Sequence, residues 1–180
     1  MSENKAGAVL PIEAKAIGDT GEFEGYASTY GVDQGRDRVL PGAFAESLRI
    51  RGAARVKMLR DHDPRQLIGV WTAMAEDGRG LHVKGRVIVE TQAGREAHAL
   101  MKAGALDSLS IGFRTVRHRM DRKSGERLLE ALDLREISLT GFPMNEAATV
   151  SHVKHTLNDP AQARRLVQAL DRATAALGRN

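Results

Sequence analysis

Leu106-Asp107-Ser108-Leu109-Ser110-Ile111-Gly112-Phe113 is the stretch around which the rest of the chain falls into place. Read as a strand, it puts Leu109, Ile111 and Phe113 on one face and Ser108, Ser110 and Gly112 on the other. The apolar face predicts a core behind it. The opposite face carries only small residues and two hydroxyls, which leaves room for another group to approach. A serine hydroxyl is a nucleophile only when a base takes its proton, so a catalytic reading of this face requires a base and a group that orients it.

Downstream, the chain turns basic. Arg114, Arg117, Arg119, Arg122, Lys123 and Arg127 stand against Asp121 and Glu126. No aromatic is interleaved for base stacking, so a solvated hairpin turning at Asp121-Arg122-Lys123-Ser124-Gly125 is expected rather than a nucleic-acid surface. A strand returns from Leu128 to Gly141. Simple alternation places Leu132, Leu134, Glu136 and Ser138 on one of its faces. A carboxylate following two apolar neighbours is partly buried, which is costly unless it is paired. An imidazole would satisfy it, as would Arg135 or Arg114.

Upstream, Thr91 is a helix N-cap, followed at helical spacing by Ala93, Ala97, Leu100 and Met101 and stopped at Gly104. Before it, Gln66 to Ala75 with Trp71, and Leu81 to Val89, read as strands joined by the turn Glu76-Asp77-Gly78-Arg79-Gly80. Arg55 to Arg60 is a strand running into Asp61-His62-Asp63-Pro64, where the proline is expected to end it. His62 then sits at a strand end with a carboxylate on either side. His82 and His98 read as surface residues. A short helix opens at Leu40-Pro41-Gly42-Ala43-Phe44, with Phe44 and Leu48 on one face and Gly52 as its stop. Gly21 to Tyr30 and Ala8 to Ala16 complete the strands. Asn158-Asp159-Pro160 starts a C-terminal amphipathic helix carrying Ala163, Leu166, Val167, Leu170, Ala173 and Leu177.

The 180 residues suit one domain, with 42% hydrophobic and 28% charged residues and a net charge of +4. There is no cysteine, hence no disulfide framework. No apolar run approaches the roughly 20 residues that span a bilayer. Residues Met1 to Gly7 lack the apolar stretch of a secretory signal, so the cytosol is the expected compartment.

His62, Ser110 and Glu136 thus form a candidate base, nucleophile and orienting carboxylate, and triads are recognised by geometry rather than by chain order. Five stretches add a resemblance: Gly25-Tyr26-Ala27-Ser28, Leu40-Pro41-Gly42-Ala43-Phe44, Arg60-Asp61-His62-Asp63, Leu109-Ser110-Ile111-Gly112-Phe113 and Leu134-Arg135-Glu136-Ile137-Ser138-Leu139-Thr140. In this order, across Glu22 to Val150, they resemble the prohead (capsid maturation) serine proteases of tailed phages, a family that is similar to the herpesvirus assemblins.

The resemblance implies a mainly β (α+β) fold, a closed antiparallel β-barrel with flanking helices over residues 1–156. The helix of 157–180 would then be a propeptide or scaffold tether. It implies Ser110 as nucleophile and His62 as base, with Glu136 where assemblins place a histidine. Members often carry glycine at the position of Ser108, whereas Ser110 keeps the Ile-Gly-Phe context. Assemblins carry an arginine after the third triad member, where this chain has Thr140-Gly141-Phe142-Pro143; the oxyanion donors are left unassigned, with a backbone N–H near Gly112 or around Gly141 as one option. The implied role is cleavage of the N-terminal extension of the major capsid protein, with self-cleavage and self-association. It would take place inside the assembling prohead in the bacterial cytoplasm, in a phage, prophage or gene-transfer particle. No cofactor, metal, membrane or specific nucleic acid is expected. Two other readings remain open: an inactive internal scaffold that binds capsid protein, and a metal-dependent hydrolase using Asp61, His62 and Asp63.

Overall fold

The computed structural model describes residues 19–152. The expected strand Ala8–Ala16 and the C-terminal helix of 157–180 lie outside them. Eight strands and two α-helices follow in the order β1 (Glu22–Thr29), β2 (Asp37–Val39), α1 (Ala45–Arg51), β3 (Lys57–Arg60), β4 (Asp63–Glu76), β5 (Gly80–Val87), α2 (Gln92–Lys102), β6 (Ser108–Met120), β7 (Arg127–Thr140) and β8 (Val150–His152). The fold is mainly β with flanking helices, as the periodicities predict.

Strand order in the single sheet is β2-β7-β3-β4-β5-β1-β8, with β6 along the other edge of β7. Consecutive strands β3-β4-β5 are antiparallel, as are β1-β5, β1-β8 and β6-β7. Two features correct the expected closed antiparallel barrel. β2 and β3 both pair parallel to β7, at Arg127 to Leu129 and at Glu136 to Leu139 respectively. The sheet also curls into an open half-barrel: between β6 and the segment leading into β8 there is only an isolated bridge, Ser108↔Thr149. Among the described residues β8 lies along β1, and the approach to it meets β6 only at that bridge.

The core fills the hollow of the half-barrel. β5 alternates as its sequence dictates, with Leu81, Val83 and Val87 buried while His82, Lys84 and Arg86 face outward. Trp71 of β4 meets Phe23 of β1 edge to face, with ring centroids 5.5 Å apart. Helix α2 contributes Ala97 and Met101 to the same core, and its N-terminus is closed by Thr91, whose Oγ1 accepts the Gly94 N–H. Helix α1 packs on β7: the buried Ser47 hydroxyl accepts the Leu134 N–H at 2.9 Å. Gly52, at φ +65°, ends α1 with its N–H on the Leu48 carbonyl.

Beyond Phe113, β6 leaves the core. Residues 114 to 119 of the basic segment are exposed, forming the solvated hairpin expected from composition. Glu130 on β7 takes both Arg117 and Arg119, and Asp37 takes Arg127.

Candidate active site

The site is assembled by two local irregularities. The first is the β3–β4 connection. Arg60 pairs with Asp63, so Asp61 and His62 alone make the turn, with φ of +50° and +59°. Positive φ at both central residues is the signature of a type I′ turn, which normally takes Asn or Gly. Here the cost of placing non-glycine residues is offset by anchoring to β7. The Asp61 N–H reaches the Leu139 carbonyl at 3.0 Å, and the His62 N–H reaches Ser138 Oγ at 3.0 Å. The expectation that Pro64 ends a strand is corrected. The turn makes the break, and β4 begins at Asp63. Register jumps from Arg60↔Asp63 to Leu59↔Leu67, which leaves Pro64 in an unpaired bulge where its missing N–H is not needed.

The second irregularity is a bulge in β7. Gly112 opposes Glu136, yet the next residue, Phe113, opposes Leu134, so Arg135 is supernumerary. The inward series Leu132, Leu134 therefore passes to Ile137, Leu139, all four buried. Glu136 and Ser138 emerge on the other side, and simple alternation, which groups them with Leu132 and Leu134, is corrected at this point. Arg135 turns instead to Asp133, with Nε 2.9 Å from Oδ2.

Both irregularities converge. His62 Nδ1 lies 2.5 Å from Glu136 Oε1, and Ser138 donates its hydroxyl to Glu136 Oε2 at 2.7 Å. The His62 side chain is 45% exposed and that of Glu136 13%, so the imidazole can be reached from solvent while its partner is largely enclosed. The hydrogen bond that Nδ1–H donates to Glu136 raises the His62 pKa above its ordinary value. Partial burial opposes this, and the charges of Glu136 and Asp61 add to it. A carboxylate on Nδ1 fixes the tautomer with the proton there and leaves Nε2 as the basic lone pair.

Ser110 is 6% exposed and stands directly opposite Ser138, two pairs along from Gly112 and Glu136. Directly opposed residues of an antiparallel pair project to the same side, so Ser110, Gly112, Ser138 and Glu136 share one face. Among the described residues the Ser110 hydroxyl is committed to no hydrogen bond. Ser108 instead donates to Asp107 Oδ1 at 2.8 Å. A cavity of about 170 Å³ opens beside Ser110, walled by Ala27, Asp33, Ile111 and Phe113 among others.

The alternative cluster does not converge. Asp63 is held by Arg65 at 2.9 Å, Asp61 lies 3.5 Å from Arg60, and His62 faces Glu136. His82 packs edge to face on Tyr26. Ser138 went unrecognised in the sequence. Its only signal was a hydroxyl two residues after Glu136 on the same strand face.

A model of the caudovirus prohead serine protease family matches residues 10–163. The chain belongs to this family. Among relatives of the prohead serine protease, the prohead protease of Enterobacteria phage HK97 is 34% identical over 147 residues, covering 79% of this chain and 65% of that protein. The prohead protease of Escherichia phage T5 is 25% identical over 147 residues, covering 81% of this chain and 69% of that protein. The matched region thus spans about two thirds of the length of these prohead proteases. Among solved structures, a KSHV protease in complex with a hexapeptide phosphonate inhibitor aligns with a TM-score of 0.52 at 10% identity, over 84% of this chain and 76% of that one. At that identity the likeness is one of fold alone.

Proposed function

We propose that the chain is a serine endopeptidase with Ser110 as nucleophile, His62 as general base and Glu136 as the group that orients it. The observation that carries this reading is the 2.5 Å contact between His62 Nδ1 and Glu136 Oε1, alongside an uncommitted serine hydroxyl on the neighbouring strand. His62 Nε2 takes the Ser110 proton as Oγ attacks the scissile carbonyl. Glu136 accepts the Nδ1–H bond and stabilises the imidazolium that forms. The tetrahedral intermediate collapses as His62 passes the proton to the leaving amine, and water, deprotonated by the same nitrogen, releases the acyl group from Ser110. The cavity beside Ser110 receives a substrate side chain next to the scissile bond.

Family membership supports the role of capsid maturation protease, with the N-terminal extension of the major capsid protein as substrate, inside the prohead in the host cytoplasm. Self-cleavage and self-association belong to the same proposal, as does a C-terminal propeptide or tether in 157–180. The test is co-expression with the cognate major capsid protein, comparing the unmutated chain with Ser110→Ala by intact mass. Loss of an N-terminal capsid segment with the unmutated chain alone supports the proposal. An assembled, uncleaved capsid protein with both would favour a non-enzymatic internal scaffold.

A further inference from the structure

Ser138 has no exposed surface, yet it carries a hydroxyl in a strand otherwise lined inward by Leu134, Ile137 and Leu139. A buried hydroxyl without partners costs free energy, so its bonds decide its use. Both of its capacities are taken by the site. Ser138 accepts the backbone N–H of His62 at 3.0 Å and donates to Glu136 Oε2 at 2.7 Å.

One side chain therefore touches both halves of the His62–Glu136 pair. The accepted bond holds the backbone of a residue at φ +59°, a conformation uncommon outside glycine. The donated bond fixes the rotation of the carboxylate, so that Oε1 faces the imidazole. Commitment of the single hydroxyl proton to Glu136 also means that Ser138 cannot donate it to Ser110, its cross-strand neighbour.

We infer that Ser138 is a positioning residue of the site, a clamp that sets the His62 turn and the Glu136 carboxylate in register. The inference rests on the catalytic reading of His62 and Glu136. It does not require Ser138 to touch substrate. Misplacing a catalytic group by about 1 Å costs on the order of a hundredfold in rate, the scale on which such a clamp matters.

Two variants separate clamping from packing. Ser138→Cys keeps the volume and loses the strong hydrogen bonds; Ser138→Thr keeps the hydroxyl. In Ser138→Cys, kcat should fall by roughly ten- to a hundredfold with KM little changed. The His62 imidazole, followed by NMR titration in the Ser110→Ala background, should titrate lower than in Ser110→Ala alone. Ser138→Thr should recover most of both. In the unmutated chain the His62 amide should be protected from hydrogen exchange, although its side chain stands in an exposed turn. A Ser138→Cys protein with unchanged kcat and His62 titration would overturn the inference, as would an unprotected His62 amide. If the unmutated chain cleaves no peptide, the peptidase reading fails on that result, while the titration and exchange measurements still decide the clamp.

Discussion

The carboxylate of Glu136 occupies the space that a Cβ on Gly112 would need, with Oε1 well inside contact distance of that point. The gap left by the small-residue face of β6 is thus filled from the neighbouring strand. Gly112 serves here through its lack of a side chain rather than through an unusual backbone angle. Gly112→Ala should push the carboxylate off His62 Nδ1. We expect a folded protein whose kcat falls by on the order of a hundredfold and whose His62 pKa drops towards the ordinary imidazole value. Steady-state kinetics and NMR titration check both.

Glu136→Gln keeps the shape and removes the charge. The amide can present its NH2 to Nδ1 and favour the wrong imidazole tautomer. A loss in kcat on the order of a thousandfold or more is expected, with KM nearly unchanged, because the role proposed for the carboxylate is exercised in the transition state. A loss confined to KM would contradict that role.

His62 gives a pH dependence of defined sign. Its pKa is raised in the folded state, chiefly by the hydrogen bond it donates to Glu136. As the proposed base it must be neutral, so the acid limb of kcat/KM should have its midpoint above about 6.5, the ordinary histidine value. Stability runs the opposite way. A raised folded pKa contributes stability that is fully present below the unfolded value and is lost as pH rises through the folded one. Urea unfolding of the unmutated chain and of His62→Ala across pH 5 to 9 should show their difference shrinking with increasing pH over this window.

The longer strands and both helices among the described residues were legible because amphipathic periodicity is local: Leu81, Val83 and Val87 alternate on β5, and Thr91 caps α2, whereas the three-residue strands β2 and β8 are too short to show a period. His62, Ser110 and Glu136 could be singled out, the first from its turn and the second from its small-residue face. Glu136 stood out as a carboxylate in an apolar pattern. What local pattern did not carry was the bulge at Arg135, which depends on cross-strand register and sends Glu136 to the face opposite Leu134. The same holds for the Asp61-His62 turn. Its positive φ values are sustained by hydrogen bonds to Leu139 and Ser138, more than 70 residues away in the chain. The parallel pairing of β3 with β7 left no trace in composition either, since both strands read as ordinary half-buried strands.

Ser47→Ala tests how α1 supports β7 just ahead of the bulge. The substitution leaves the buried Leu134 N–H without its acceptor. A loss of about 1–3 kcal/mol in unfolding free energy is expected from denaturant titration, with kcat reduced far less than in Glu136→Gln. Equal losses of activity in the two variants would mean that α1 and the site are coupled more tightly than this hydrogen bond provides.

The most direct test of the assignment is covalent labelling with a fluorophosphonate, located by peptide mass mapping in the presence of a metal chelator. The account predicts a single adduct on Ser110 that is absent in His62→Ala and undiminished by the chelator. An adduct on Ser108 or Ser138, or a chain that cleaves capsid protein yet takes no label, would contradict it.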